Sequence, residues 1–113
     1  MTYTPASKSD RIRQLNDDFR QSFIGGRILV TPGIRSLPIE TNAAVLERVR
    51  TFAGFNAEND PHGEHDFGTI ELEGETYFFK IDYYSLDMQG GSEDPADPEK
   101  TVRVMTIMCA AEY

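Results

Sequence analysis

Residues 76–84, TYFFKIDYY, constrain the fold more than any other stretch, because large apolar side chains fall on both parities of an extended backbone. Tyr77, Phe79, Ile81 and Tyr83 alternate with Phe78, Lys80, Asp82 and Tyr84. A strand built this way offers neither face wholly to water, so it belongs in the interior of a sheet. Around it, other segments carry the period of helices. Ile12, Leu15, Phe19 and Phe23 recur at spacings of three and four, which predicts a helix starting near Ser7 or Ser9 and stopped by Gly25-Gly26. Arg11, Arg13, Asp17 and Arg20 then lie on its other faces. A second apolar stripe, from Ala43 to Ala53 after Pro38, predicts a helix over residues 39–53.

Three more strands complete the pattern. Arg27–Thr31 is β-branched and ends at the turn pair Pro32-Gly33. Residues 68–73 alternate Ile70 and Leu72 with Thr69, Glu71 and Glu73, and Gly74-Glu75 supplies a tight turn into the aromatic strand. Val102–Cys109 alternates again. The order is α-β-α-β-β-β. It predicts an α+β fold: three or four mostly antiparallel strands with two helices on one face. Residues 7–113 form a single domain, and residues 1–6 form a flexible tail.

Charge divides the chain. Residues 1–55 hold eight Lys/Arg against five Asp/Glu, residues 56–113 three against fourteen, and the net charge is −8. Carboxylates repel phosphates, so nucleic-acid binding through the C-terminal half is disfavoured. An acidic face instead suits a basic protein surface. One cysteine, Cys109, cannot close an intramolecular disulfide, and the first residues lack the apolar core of a secretory signal. The expected location is cytoplasmic. No apolar run nears the roughly 20 residues that span a bilayer, so no membrane partner is expected.

Chemistry concentrates in Asn59–Asp66, which holds both histidines and three carboxylates. His62 and His65, three apart across Gly63, are candidate metal ligands with Asp60, and Asp66 could supply a third such ligand in place of Asp60. Glu64 is a candidate general base for a metal-bound water. The spacing H-G-E-H lacks the H-E-x-x-H geometry, and Pro61 and Gly63 disfavour a helix. The competing reading makes Asp60, His62 and His65 hydrogen-bonding anchors of a long loop. No cofactor is expected; the alternative is a divalent metal such as zinc. The second polar loop, residues 85–100, carries the run Ser92–Glu99. Glu93 and Asp94 there are candidate binding residues without the alternation of a calcium loop. Asp82, between Ile81 and Tyr83 on a central strand, is expected to be buried, anchoring the histidine loop or pairing with Lys80 or Arg103. If both loops leave one end of the sheet, Asp60, His62, His65, Asp82 and Glu93 could converge there.

The stretches NDPHGEHDFG, FKIDYY and GSEDPADP, with the opening IRQLNDDFRQSFIGGRILVTPGI, resemble the signature segments of a family of short alphaproteobacterial proteins of unknown function. The resemblance covers about residues 11–113. Members are often found on plasmids and mobile elements, which implies an accessory role in the biology of such elements, and the resemblance supplies no catalytic residues. Three function classes stand. The first is a non-enzymatic interaction module whose acidic half binds a basic partner, with inhibition of a DNA-acting defence enzyme as a specific version. The second is a metal-dependent hydrolase or small-ligand binder using the His62/His65 loop. The third, DNA binding by the N-terminal helices, is weakened by the acids mixed among their arginines. The aromatic strand's exposed side could also serve a homodimer.

Overall fold

The computed structural model describes residues 7–113; the tail expected at residues 1–6 lies outside the described residues. The elements are α1 (Lys8–Ser22), β1 (Arg27–Val30), α2 (Pro32–Arg35), α3 (Ile39–Thr51), β2 (Phe67–Leu72), β3 (Glu75–Tyr84), β4 (Val102–Cys109) and a terminal 3-10 turn (Ala110–Glu112). The fold is α+β, with four strands in the order β1-β4-β3-β2. β3 is interior, as its two apolar faces require.

Local signals set the element ends. Ser7 caps α1 by accepting the Asp10 N–H at 3.1 Å, as small hydroxyl residues do at helix starts. α1 ends earlier than its glycine pair suggests. Phe23 takes the left-handed position at φ 60° and donates its N–H to Phe19, while Arg50 lies 4.2 Å from its ring centroid. Between β2 and β3, Glu73 and Gly74 both take positive φ, 54° and 80°, the geometry that closes a two-residue hairpin.

Two expectations hold only in part. The sheet is mixed: β2, β3 and β4 pair antiparallel, but β1 runs parallel to β4 with Arg27 opposite Val104. The chain leaves β1 across one face through the helices and makes the hairpin at the far edge. β4 then returns between β3 and β1 in the same direction as β1. A third helix, α2, also stands where Pro32-Gly33 reads as a turn. Pro32 suits a first helical turn, and Ile34 is fully buried by it.

All three helices lie on one face of the sheet. Phe19 of α1, Ile34 of α2, and Val45 and Val49 of α3 pack with Ile70, Tyr77, Phe79, Ile81, Met105 and Ile107 in one core. The register puts Phe67, Thr69, Phe78, Lys80, Asp82, Tyr84, Val104, Thr106 and Leu29 on the opposite face. No described helix covers that side. Phe67, Phe78 and Tyr113 pack edge-on or tilted there, with centroids 5.3–6.1 Å apart.

Candidate functional site

The loop between α3 and β2 is built from its own polar side chains. Asn56 Oδ1 accepts the N–H groups of Glu58 and Asn59, and Asn59 returns bonds to the Asn56 N–H and the Gly54 carbonyl. Asp60, only 8% exposed, accepts the Glu64 N–H at 3.0 Å and the His65 N–H at 3.2 Å. Those two bonds fold the loop back, with Gly63 at φ 67° and His65 at φ 56°. A non-glycine residue in that region costs on the order of 1 kcal/mol or more, which the contacts of His65 offset.

His65 lies between two carboxylates. Its Nδ1 is 2.8 Å from Asp17 Oδ1 on α1, and its Nε2 is 3.6 Å from Asp60 Oδ2. Its ring stacks on Phe55 at 3.8 Å and 5°. Asp17 also accepts from Arg20 Nη1 at 3.0 Å. The Arg20 side chain is 2% exposed and donates to the carbonyls of Val49 and Phe52 at the end of α3. A buried guanidinium needs such partners, and the last carbonyls of a helix are suited to a cation. Burial lowers the Arg20 pKa, partly opposed by the Asp17 charge. Asp17, Arg20, Gln21, Phe52, Phe55 and His65 line a cleft of about 340 Å³.

A second network lies beside it. Asn16, fully buried, donates to the Glu64 carbonyl at 3.0 Å and to Tyr83 Oη at 2.8 Å, and accepts from Arg103 Nε at 2.9 Å. Tyr83 in turn donates to Glu64 Oε1 at 2.9 Å, and Arg103 donates to the Pro95 carbonyl. One asparagine thus ties the histidine loop, β3, β4 and the acidic loop together. Burial pushes the Tyr83 phenol far above its ordinary value and lowers the Arg103 pKa. No buried side-chain nitrogen or oxygen among the described residues lacks a partner.

The two loops do leave the same end of the sheet, yet the five side chains considered do not meet. Asp60 and His65 do, and His62 is exposed. Glu93 pairs with Lys100 and Asp94 with Lys8, each at 3.8 Å. Asp82 is neither buried nor near the histidines. It points from the helix-free face and pairs with Lys80 at 2.9 Å, because the parity that buries Ile81 and Tyr83 turns it outward. Glu64 faces Tyr83, not a shared centre with His62. Asp66 is half-buried, and burial raises its pKa, with the Glu64 and Asp60 charges adding to the rise. Among the described residues no three His, Cys, Asp or Glu side chains group to hold a metal ion.

Sequence reasoning missed the partners. Arg20 was expected off the apolar stripe of α1 and lies in the core. Asn16 sits four residues after Ile12 and three before Phe19, on the apolar stripe itself. That position is the one signal that marks it as buried.

Residues 30–112 match the family described as protein of unknown function, DUF3768. The chain belongs to that family. No significant match was found among the curated proteins or the solved structures. The DUF3768 region takes in the histidine loop, the acidic loop and β2 to β4, while α1, which carries Asn16, Asp17 and Arg20, precedes it. No described helix is long and apolar enough to cross a membrane.

Proposed function

We propose that this DUF3768 protein is a protein-interaction module whose acidic C-terminal half binds a basic partner. One observation carries the reading. Glu71, Glu73 and Glu75 stand exposed around the β2–β3 hairpin, and none has an ion-pair partner among the described residues. By contrast, in the histidine loop Asp60 bonds the loop's own backbone, while His65 and Glu64 bond Asp17 of α1 and Tyr83 of β3. Exposed carboxylates without an ion-pair partner steer an oppositely charged surface toward them. The cytoplasm is the compartment assumed, and an accessory or defence-inhibiting role on a mobile element is the finer form of the reading.

The test is titration of the full chain with a disordered lysine-glycine-serine peptide at low and moderate salt, beside a Glu71→Lys, Glu73→Lys, Glu75→Lys triple variant. Binding that weakens with salt and is lost in the variant supports the proposal. Salt-insensitive binding, or no difference between the two proteins, overturns it.

The metal-dependent hydrolase or small-ligand reading draws on a single observation, the cleft of about 340 Å³ beside His65. Native mass spectrometry of chelator-free protein and of a His62→Ala, His65→Ala variant tests it. A stoichiometric ion in the first and not the second would move the assignment to that loop.

A further inference from the structure

β2 is an edge strand, paired only with β3. The Ile81 N–H donates to the Asp66 carbonyl, and antiparallel bonding alternates by residue. Gly68, Ile70 and Leu72 therefore bond inward to β3, while Phe67, Thr69 and Glu71 turn their N–H and C=O groups to the open edge. Arg48 Nη1 donates to the Glu71 carbonyl at 3.4 Å. No other described group bonds to this row. Of the devices that ordinarily protect an edge, the strand holds no proline or lysine and its register to β3 runs without a bulge, leaving Glu71 and the Arg48 bond as its protection.

Beside the same edge, Arg48, Thr51, Phe52, Thr69, Ile70 and Glu71 line a groove of about 300 Å³ between α3 and β2. Side chains of a strand added here would alternate. Those on the helix side would enter the groove against Phe52 and Ile70, where Arg48 repels a cation and favours an apolar group. Those on the other side would lie beside Glu71, with Glu73 and Glu75 next along the hairpin, and favour Lys or Arg.

We infer that the free edge of β2 receives an extended segment of the basic partner, one in which apolar and Lys/Arg residues alternate, as a fifth strand of the sheet. The inference rests on the interaction reading above and adds to it the mode and the sequence pattern. Charge chooses this occupant over a second copy. Two β2 edges placed side by side would bring both sets of Glu71, Glu73 and Glu75 together on chains of net charge −8, whereas a basic strand neutralises them.

The experiment uses the full chain and an acetylated, amidated nine-residue peptide of alternating valine and lysine. Controls are the same peptide with N-methyl groups on alternate residues and a version with every lysine replaced by glutamate. Thr69→Pro removes an edge N–H that has no partner in the sheet, so the fold tolerates it. The expected result is slowed hydrogen exchange at the Phe67, Thr69 and Glu71 amides on binding. Affinity should fall about tenfold or more with N-methylation, which removes at least two hydrogen bonds, and about fivefold with Thr69→Pro, which removes one. The glutamate peptide should not bind. If the N-methylated peptide binds as well as the parent, the edge is not the site, and this holds even if Thr69→Pro fails to fold. If the alternating peptide does not bind but the disordered lysine peptide does, strand addition fails while the acidic reading stands. If neither binds, the acidic reading falls as well. A wild-type dimer that Thr69→Pro converts to monomer would assign the edge to a second copy and overturn the inference.

Discussion

The two faces of the sheet handle polar residues in opposite ways. Under the helices, Asn16, Arg20 and Arg103 are buried, and no buried side-chain nitrogen or oxygen among them lacks a partner. On the open face, Lys80 and Asp82 meet at 2.9 Å with side chains 39% and 38% exposed, and Phe67, Phe78 and Tyr113 touch with no helix above them. Polar groups on the first face are fixed by geometry and are costly to disturb. Those on the second remain hydrated and change little when removed.

Removing a buried arginine should therefore have the largest effect. Arg103→Ala leaves Asn16 Oδ1 and the Pro95 carbonyl without their donor, at about 1–3 kcal/mol for each buried group left unpaired. Arg20→Ala similarly releases Asp17 and two carbonyls of the α3 end. Chemical denaturation should show a loss of about 3 kcal/mol or more for either. A loss below about 1 kcal/mol would mean that water enters this face, and the contrast between faces would collapse. Gly68→Ala comes next. An added Cβ would lie 2.2 Å from a Phe79 ring carbon and 3.0 Å from Phe52, so overpacking should cost about 1–3 kcal/mol in the same measurement.

His65 lies at the rim of the buried network, with its side chain 25% exposed, and its effect should be intermediate. His65→Ala loses the Asp17 bond and the Phe55 stack, together about 1–2 kcal/mol. Hydrogen exchange should speed up across residues 56–66 and leave β3 and β4 unchanged. Uniform acceleration would show that the loop and the sheet unfold as one unit.

How much of this was legible in the sequence follows the same division. Strand positions, β3 as an interior strand and the two long helices can be read because apolar periodicity reports burial directly. The parallel pairing of β1 cannot, since direction depends on where a crossover returns and not on the strand's own residues. The histidine loop stands out by composition, and Asp60 with His65 do lie together. Their partners Asp17 and Arg20 come from a helix forty or more residues away, and charged residues on a helix are ordinarily read as solvent-facing. Only contacts between distant elements reveal that Arg20 serves as the cap of another helix. Asp82 was misplaced for a related reason. A central strand suggests burial, but centrality in the sheet says nothing about whether a second layer covers that particular face.

The open face has one partial cover, and it is held by a carboxylate. Glu112 accepts the Thr31 hydroxyl at 2.6 Å and the N–H groups of Gly33 and Cys109 at 3.0 and 2.9 Å, which places Tyr113 beside Phe67 and Phe78. Those bonds hold its pKa at about 2, below its ordinary 4.5. A depressed acid pKa contributes stability above the ordinary value and loses it as pH falls through the folded one. The Tyr113 ring resonances should thus keep native shifts above pH 4.5 and move toward random-coil values as pH approaches 2. Glu112→Gln should weaken the contact already at neutral pH. Native Tyr113 shifts in that variant would assign its position to ring packing alone.

The smallest effect is the most informative about what covers this face. The Asp82 hydrogen bond raises the Lys80 pKa, but the pair is solvated, and exposed pairs contribute about 0–1 kcal/mol. Lys80→Met and Asp82→Asn should each shift stability by less than about 0.5 kcal/mol, and added salt should erase what difference there is. The measurement belongs at two protein concentrations. A small, concentration-independent effect keeps the face open in the isolated chain, with its unpaired edge at β2 available to another segment. A loss comparable to that of Arg103→Ala, growing with protein concentration, would mean that the face is buried against a second copy in solution. Then the two sides of the sheet would differ in what covers them and not in whether they are covered.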